Sequence, residues 1–357
     1  MKSFLELLQV SLGSRSELSG SLTFEEWMHL FDEAQRQAVI GVILDGLERL
    51  PEQQRPPTDV LLQWIGVTQM IEQQSKNNEK NVKILTEVFK EAGYDCCILK
   101  GIGISKLYPN PYRRQTGDID LWVRGNRKEV MRWLQSKYDL HPPVWHNVGV
   151  DFFCDVPVEV HFHPSWSWNP FYNSRLQNFF EQEWERMDVG KDRKEYNIPS
   201  IEFQVIACLS HTYRHLIAKG VGLRHVIDYY YILKRMYEER QKLYHGQSNK
   251  HVIDGLVEKI NSFGLQKFLA AMMWVLIHAC GMPEQWVLCE PNEKEGRFLL
   301  EEVMAAGNFG HQRIGIALPV NSLRRYWVMG RHYPNEVLWK PIWQIWHWFW
   351  RKRKGYL

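Results

Sequence analysis

The sequence predicts an α+β protein, mostly helical, in which a small mixed β-sheet core lies between helical regions at either end. Three observations lead there. Apolar residues recur at three- and four-residue spacings over residues 1–92 and again beyond about 200. Between those stretches, four short apolar or alternating runs surround one amphipathic helix. The chain has 357 residues, 45% apolar and 13% aromatic, enough for a large core and for two or three modules. The expected division is an N-terminal helical region (1–92), an α/β core (93–165) and a C-terminal helical domain with an aromatic, basic tail (166–357).

In order, "TFEEWMHLFDEAQRQAVIGVILDGLERL" reads as helix, with Thr23 as its cap and Glu26 three residues on. The turn "PEQQRPP" closes it, and a long helix runs from about Thr58 to a stop at Gly93. "CCIL" and "DIDLWV" are strands, "NRKEVMRWLQSKY" is a helix, and "VWHNVGVDFFCD" and "VPVEVHFHP" are two further strands. The aromatic-rich "WSWNPFYNSRLQNFFEQEW" is expected to be a linker to helices near 200–218, 222–241, 251–280 and 296–307. The polar "HGQSNKH" (245–251) reads as a surface loop.

The formal charge of +3 is too small to imply a long nucleic acid as partner. Six cysteines show no CxxC pair and no disulfide rhythm, which suits a reducing compartment. The N-terminus carries a glutamate inside its short apolar run and lacks a cleavage site, so no secretory signal is expected. The longest apolar run, "FLAAMMWVLIHAC", is too short to span a bilayer. The expectation is a soluble cytoplasmic protein.

Two acidic residues interrupt the second strand. Residues i and i+2 of a strand share a face, so Asp118 and Asp120 project together while Ile119 and Leu121 pack the other way. Two such carboxylates repel unless a positive charge sits between them, and oxygen-only ligands suit Mg²⁺ or Mn²⁺. The plainer reading is an exposed D-x-D paired with lysine or arginine. Lys100-Gly101 and "GIGISKLY" offer a glycine turn opening a helix, while Arg113 and Arg114 precede the acidic pair. "VPVEVHFH" adds a third carboxylate, Glu159, on one face with His161 and His163. Three carboxylates on two strands, with a basic approach, are what two-metal phosphoryl transfer requires. A Glu/His transition-metal site is the alternative there.

This order of strand, Gly turn, helix, D-h-D strand and third acidic strand resembles the nucleotidyltransferase superfamily that includes DNA polymerase β. More narrowly, "LKGIGISKLYPNPYRRQTGDIDLWV" with "VEVHFH", "LSHTYRHL" and "GLRHVIDYYYIL" resembles an uncharacterised bacterial nucleotidyltransferase family. The resemblance covers most of the chain, with its specific motifs near 100–125, 158–161 and 208–232. It implies transfer of a nucleoside monophosphate from an NTP to an acceptor, with release of pyrophosphate. It implies Mg²⁺, or Mn²⁺, on Asp118, Asp120 and Glu159 as the catalytic and metal-binding residues. Nucleotide binding falls to Lys100, Gly101, Arg114, Gly117, Arg224 and Asp228. One departure stands out: the superfamily's Gly-Ser pair near the phosphates is Lys-Gly here, which makes Lys100 and Arg114 the phosphate candidates.

Weaker signals remain. His211 and His215 lie four apart on a helix without the glutamate of a zinc protease, and read as interhelical histidines rather than a metal site. Arg224 and Asp228 are also four apart and pair on a helix surface in the plainer reading. The tail "LWKPIWQIWHWFWRKRKGYL" is expected to pack its tryptophans on the helical domain, with peripheral membrane or protein contact as the alternative. Two rival functions are a nucleotide-binding regulatory module without turnover and a D-x-D glycosyltransferase. A small molecule, a sugar phosphate, a protein hydroxyl or an RNA end all remain open as acceptor.

Overall fold

The computed structural model describes residues 1–187, 195–244, 250–307 and 319–356. It is 66% helical around one four-stranded mixed sheet, the α+β class the sequence predicts. Of the expected loop at 245–251, residues 245–249 lie outside the described residues.

The N-terminal helices are α1 (Lys2–Leu12), α2 (Phe24–Arg36), α3 (Ile40–Arg49) and α4 (Thr58–Glu91). Thr23 and Glu26 form a reciprocal capping box, worth about 1 kcal/mol. The single helix expected over 23–50 is two, because Ala38 turns left-handed at φ 55° and ends the first. Gly93, at φ 81°, stops α4.

The sheet follows: β1 (Cys96–Leu99), the short α5 (Gly101–Ser105), β2 (Ile119–Val123), α6 (Arg127–Gln135), β3 (Asn147–Val150) and β4 (Val158–His161). Its order is β1-β2-β4-β3. The central pair, β2 and β4, runs parallel, and each outer strand is antiparallel to its neighbour. Alternation sends Ile98, Ile119, Leu121, Val158 and Val160 to one face, where they pack with Val82, Leu85 and Phe89 of α4 and Val130 and Leu134 of α6.

On the other face, Trp122 stacks on Phe203 at 5.4 Å and meets Trp184 edge-on at 4.6 Å. Those partners come from α7 (Pro170–Arg186) and α8 (Ile201–Ala218). Residues 170–186 are thus helix, not linker. Asn169 caps it through Phe171 and Tyr172 N–H, and Pro170 occupies the first turn, where its missing N–H has no consequence.

The chain continues through α9 (Leu223–Leu243), α10 (Lys250–Ser262), α11 (Gln266–Cys280), α12 (Glu293–Ala306), α13 (Pro319–His332), α14 (Pro334–Val337) and α15 (Trp339–Lys354). The helix expected over 251–280 breaks in two where Gly264 adopts φ 73°. One continuous apolar cluster joins Phe4, Leu7 and Ile43 near the N-terminus to Ile227, Phe268 and Leu299 near the other end. Both helical ends therefore support the sheet from a shared core. No helix among the described residues is long and apolar enough to cross a membrane.

Candidate active site

Asp120 shares its face of β2 with Trp122, and Asp118 immediately precedes the strand. Trp122 is covered by α7 and α8. Beyond it the same face opens into a cleft of about 1250 Å³ between the sheet and α8–α9. Parallel register sets Asp120 directly beside Glu159, and Trp122 beside His161.

The floor of this cleft is a compact polar network. The Oδ1 of Asp120, a residue only 4% exposed, accepts from His161 Nε2 at 2.6 Å and pairs with Lys100 Nζ at 3.0 Å. The same His161 nitrogen lies 3.2 Å from Glu159 Oε2, which also accepts from the Asn147 amide. His161 Nδ1 faces the carbonyl of His163 at 3.4 Å, so both ring nitrogens meet acceptors. Burial opposes a charged ring, but the Asp120 and Glu159 hydrogen bonds outweigh it and lift its pKa to about 9. Burial likewise opposes the Asp120 charge, and Lys100 and His161 overcome it, holding that carboxyl well below the usual range.

Asp118 differs. Lys100 and His161 form their ion pairs with Asp120 and Glu159, and none of those pairs reaches it. Repulsion from Asp120, then dehydration, raises its pKa to about 6. Solvent reaches Asp118 from the open cleft although protein surrounds the site, so the repulsion is the cause that carries weight.

The phosphate-candidate segment is held on strained backbone. Lys100 has φ 43° and ψ −142°, a conformation unusual for any residue with a Cβ, and Gly101 follows at φ 36°. This bend lets the chain leave β1 and return Lys100 Nζ over the floor. At five residues α5 is too short for a helix-terminus anion site. The loop before β2 is fixed from α4. Asn78 donates to the Gly117 carbonyl and Thr116 hydroxyl, and Ser75 donates to the Arg114 carbonyl.

The two arginines ahead of the acidic pair are engaged elsewhere. Arg113 turns away from the cleft to Asp45, Glu48 and Glu72 of α3 and α4. Arg114 lines the cleft but forks both oxygens of Asp228 at 2.7 Å, and Tyr108 donates to the same carboxylate at 2.6 Å. Asp228 is buried, and its partner is Arg114 rather than a surface pairing with Arg224. Arg224 donates to the Gln115 carbonyl at 3.1 Å.

The wall opposite the floor comes from α8 and α9. It carries Arg214, Lys219 and Arg224 together with His211, His215 and His225. Arg214 contacts His211 and His215 at 3.4 Å and lies over the Trp166 ring. Burial lowers its pKa to about 10, against the pull of Glu159 and Asp120. Thus a cationic wall faces an acidic floor.

A family model described as an uncharacterised nucleotidyltransferase matches residues 24–280. The chain belongs to this nucleotidyltransferase family. The matched span includes the whole sheet, the acidic floor and the cationic wall. No curated protein and no solved structure matches the chain.

Within this nucleotidyltransferase, the residues singled out in the sequence line one cleft: Lys100, Gly101, Arg114, Gly117, Asp118, Asp120, Glu159, Arg224 and Asp228. His163 leaves that group, bonding Gln177 and stacking on Trp145. Arg214, Lys219 and His225 were missed. Arg214 stood in plain sight between His211 and His215, but nothing local tells which helix face meets the sheet. Among the described residues one group has metal-ligand spacing, Asp120, Glu159 and His161, with donor atoms within 4.8 Å of one another. His161 spends its Nε2 as a donor, so the donor set for an ion is carboxylate oxygen. The repelled Asp118 charge beside Asp120 fits a hard divalent cation.

Proposed function

We propose that the cleft binds an NTP and transfers its nucleoside monophosphate to an acceptor hydroxyl or phosphate, releasing pyrophosphate. The new bond joins acceptor oxygen to the α-phosphorus, the α–β bridging bond breaks, and the acceptor's proton leaves to solvent or to Glu159. One observation supports this most: parallel register seats Asp120 beside Glu159 at the base of a cleft whose far wall is cationic.

In this reading the 93–165 unit carries the chemistry and the flanking helices close the cleft. Asp118, Asp120 and Glu159 hold Mg²⁺ or Mn²⁺, which when bound neutralises charge on the phosphates and acidifies the acceptor. Oε2 of Glu159 is taken by Asn147 and His161, which leaves Oε1 for the ion or the proton. His161 positions both carboxylates. Lys100, Arg214, Lys219 and Arg224 meet the β- and γ-phosphates. Arg114 holds Asp228 and so shapes the pocket rather than touching the nucleotide.

One observation favours a second reading, nucleotide binding without turnover: Lys100 and His161 already satisfy Asp120. The test is incubation with each α-labelled NTP, or with sugar-labelled UDP-sugars, Mg²⁺ and a cell extract, beside an Asp118→Ala/Asp120→Ala variant. Label transfer by wild type alone supports the transferase. Nucleotide bound but never transferred supports the binding module, and label moving only from UDP-sugars supports the glycosyltransferase.

A further inference from the structure

Helix α15 lies beyond residues 24–280, outside the matched family span. One side of it is anchored. Trp343 stacks on Trp166 at 4.2 Å, His347 Nε2 accepts from the Trp145 N–H at 3.2 Å, and the Arg127 guanidinium lies 4.9 Å from the Trp350 ring. That docking fixes the rotation of the helix and settles which face is left outside.

The outer face is apolar. Leu338, Ile342, Ile345 and Phe349 follow one another at steps of four, three and four residues, a single stripe, and each is between 55% and 64% exposed. Trp346 and Trp348, also exposed, flank the stripe on its two sides. Lys352 and Arg353 close the same face at its C-terminal end, with Lys354 beside them. The helix "WKPIWQIWHWFWRKRK" contains no acidic residue.

We infer that this face is a docking surface for an anionic lipid bilayer. Charge decides between occupants. A second copy of the chain would bring the same acid-free, cationic face and nothing to neutralise it. A convex stripe rimmed by tryptophans, with cations at one end, matches an interface in which apolar side chains enter the acyl boundary. There the rings sit at headgroup depth and the cations meet lipid phosphate. At 16 residues the helix lies on a membrane rather than across it. The inference is independent of the chemistry proposed for the cleft.

The test is flotation of the full chain with vesicles of phosphatidylcholine alone and of phosphatidylcholine mixed with phosphatidylglycerol, at low and raised salt. Wild type is expected to float with the anionic vesicles only and to be released by salt. Ile342→Glu/Ile345→Glu, both at exposed positions, is expected to abolish flotation with unchanged circular dichroism. Lys352→Gln/Arg353→Gln should weaken it roughly 25-fold, about fivefold per cation. Met70→Glu, on a still more exposed apolar site of α4, should change nothing. Absence of wild-type flotation, or equal flotation by Ile342→Glu/Ile345→Glu, overturns the inference. So does a dimer in sedimentation that this pair of changes abolishes without any vesicle binding.

Discussion

Arg114–Asp228 and the Asp118–Asp120–Glu159 floor are both charged networks lining the same cleft, and Arg114 stands only four residues before Asp118 in sequence. In the first, one guanidinium meets one carboxylate through two 2.7 Å hydrogen bonds, and a neutral tyrosine hydroxyl fills the remaining valence. In the second, three carboxylates face Lys100 and His161; Asp118 joins neither of their ion pairs, and repulsion from Asp120 outweighs the pull of Lys100 and Arg224 on it. A balanced buried pair ties α9 to the loop before β2. A network with surplus negative charge is stabilised by a cation from outside. The difference separates a balanced buried pair from the group we propose as the reactive centre, although an arginine and an aspartate pair look equally functional in sequence.

The largest effect should come from the unbalanced side. Asp118→Asn is expected to reduce label transfer roughly a thousandfold, the loss of several kcal/mol of charge stabilisation in the transition state. It should leave the melting temperature unchanged or raised at neutral pH, because it relieves repulsion with Asp120. Activity and stability measured on one preparation check both. The balanced side should behave in the opposite way. Arg114→Met strands a buried carboxylate and is expected to cost about 3–5 kcal/mol in denaturant unfolding, with most of it recovered in Arg114→Met/Asp228→Leu. A single variant that kept its stability while its KM for NTP rose would instead make Arg114 a phosphate ligand.

A smaller effect belongs to the wall. Arg214→Gln should raise KM for NTP roughly tenfold to a hundredfold, as expected for losing a charged hydrogen bond to phosphate, with little change in melting temperature. The smallest concerns a third buried carboxylate with no cation among the groups bonding it. Burial pushes Glu336 up to about 7, against the hydrogen bonds donated by Ser167 and by Trp168 N–H. Between its ordinary value of 4.5 and about 7 the folded state holds a proton that the unfolded chain has released. Its contribution to stability is therefore full below that window and declines as pH rises through it. Melting curves across pH should show this slope in wild type and its absence in Glu336→Gln.

Much of the frame that carries this contrast was legible before the structure, although the contrast itself was not. An apolar run located β2 and period-two alternation located β4, and the same alternation put Asp118 with Asp120, and Glu159 with His161, on one face of their strands. The Thr23–Glu26 box and Gly93 marked helix ends because capping is a local property. What local pattern does not carry was lost. Residues 170–186 looked like linker because aromatic side chains obscured the helical period, although Asn169-Pro170 was a fair start signal. Ala38 and Gly264 break helices through φ values set by packing. The partner of Arg114 lies 114 residues away on α9, so that pairing is a tertiary fact. Arg214 and Lys219 became part of the cationic wall of the cleft only once α8 was laid across the sheet.

The claim that surplus carboxylate charge marks the reactive centre is tested most directly by Mn²⁺ binding. It can be followed by paramagnetic resonance with a non-hydrolysable NTP analogue, on wild type and on Asp118→Asn. The account predicts nucleotide-dependent Mn²⁺ uptake by wild type and its loss in a variant that remains at least as stable. Equal uptake by both proteins, or no uptake by either, would contradict it.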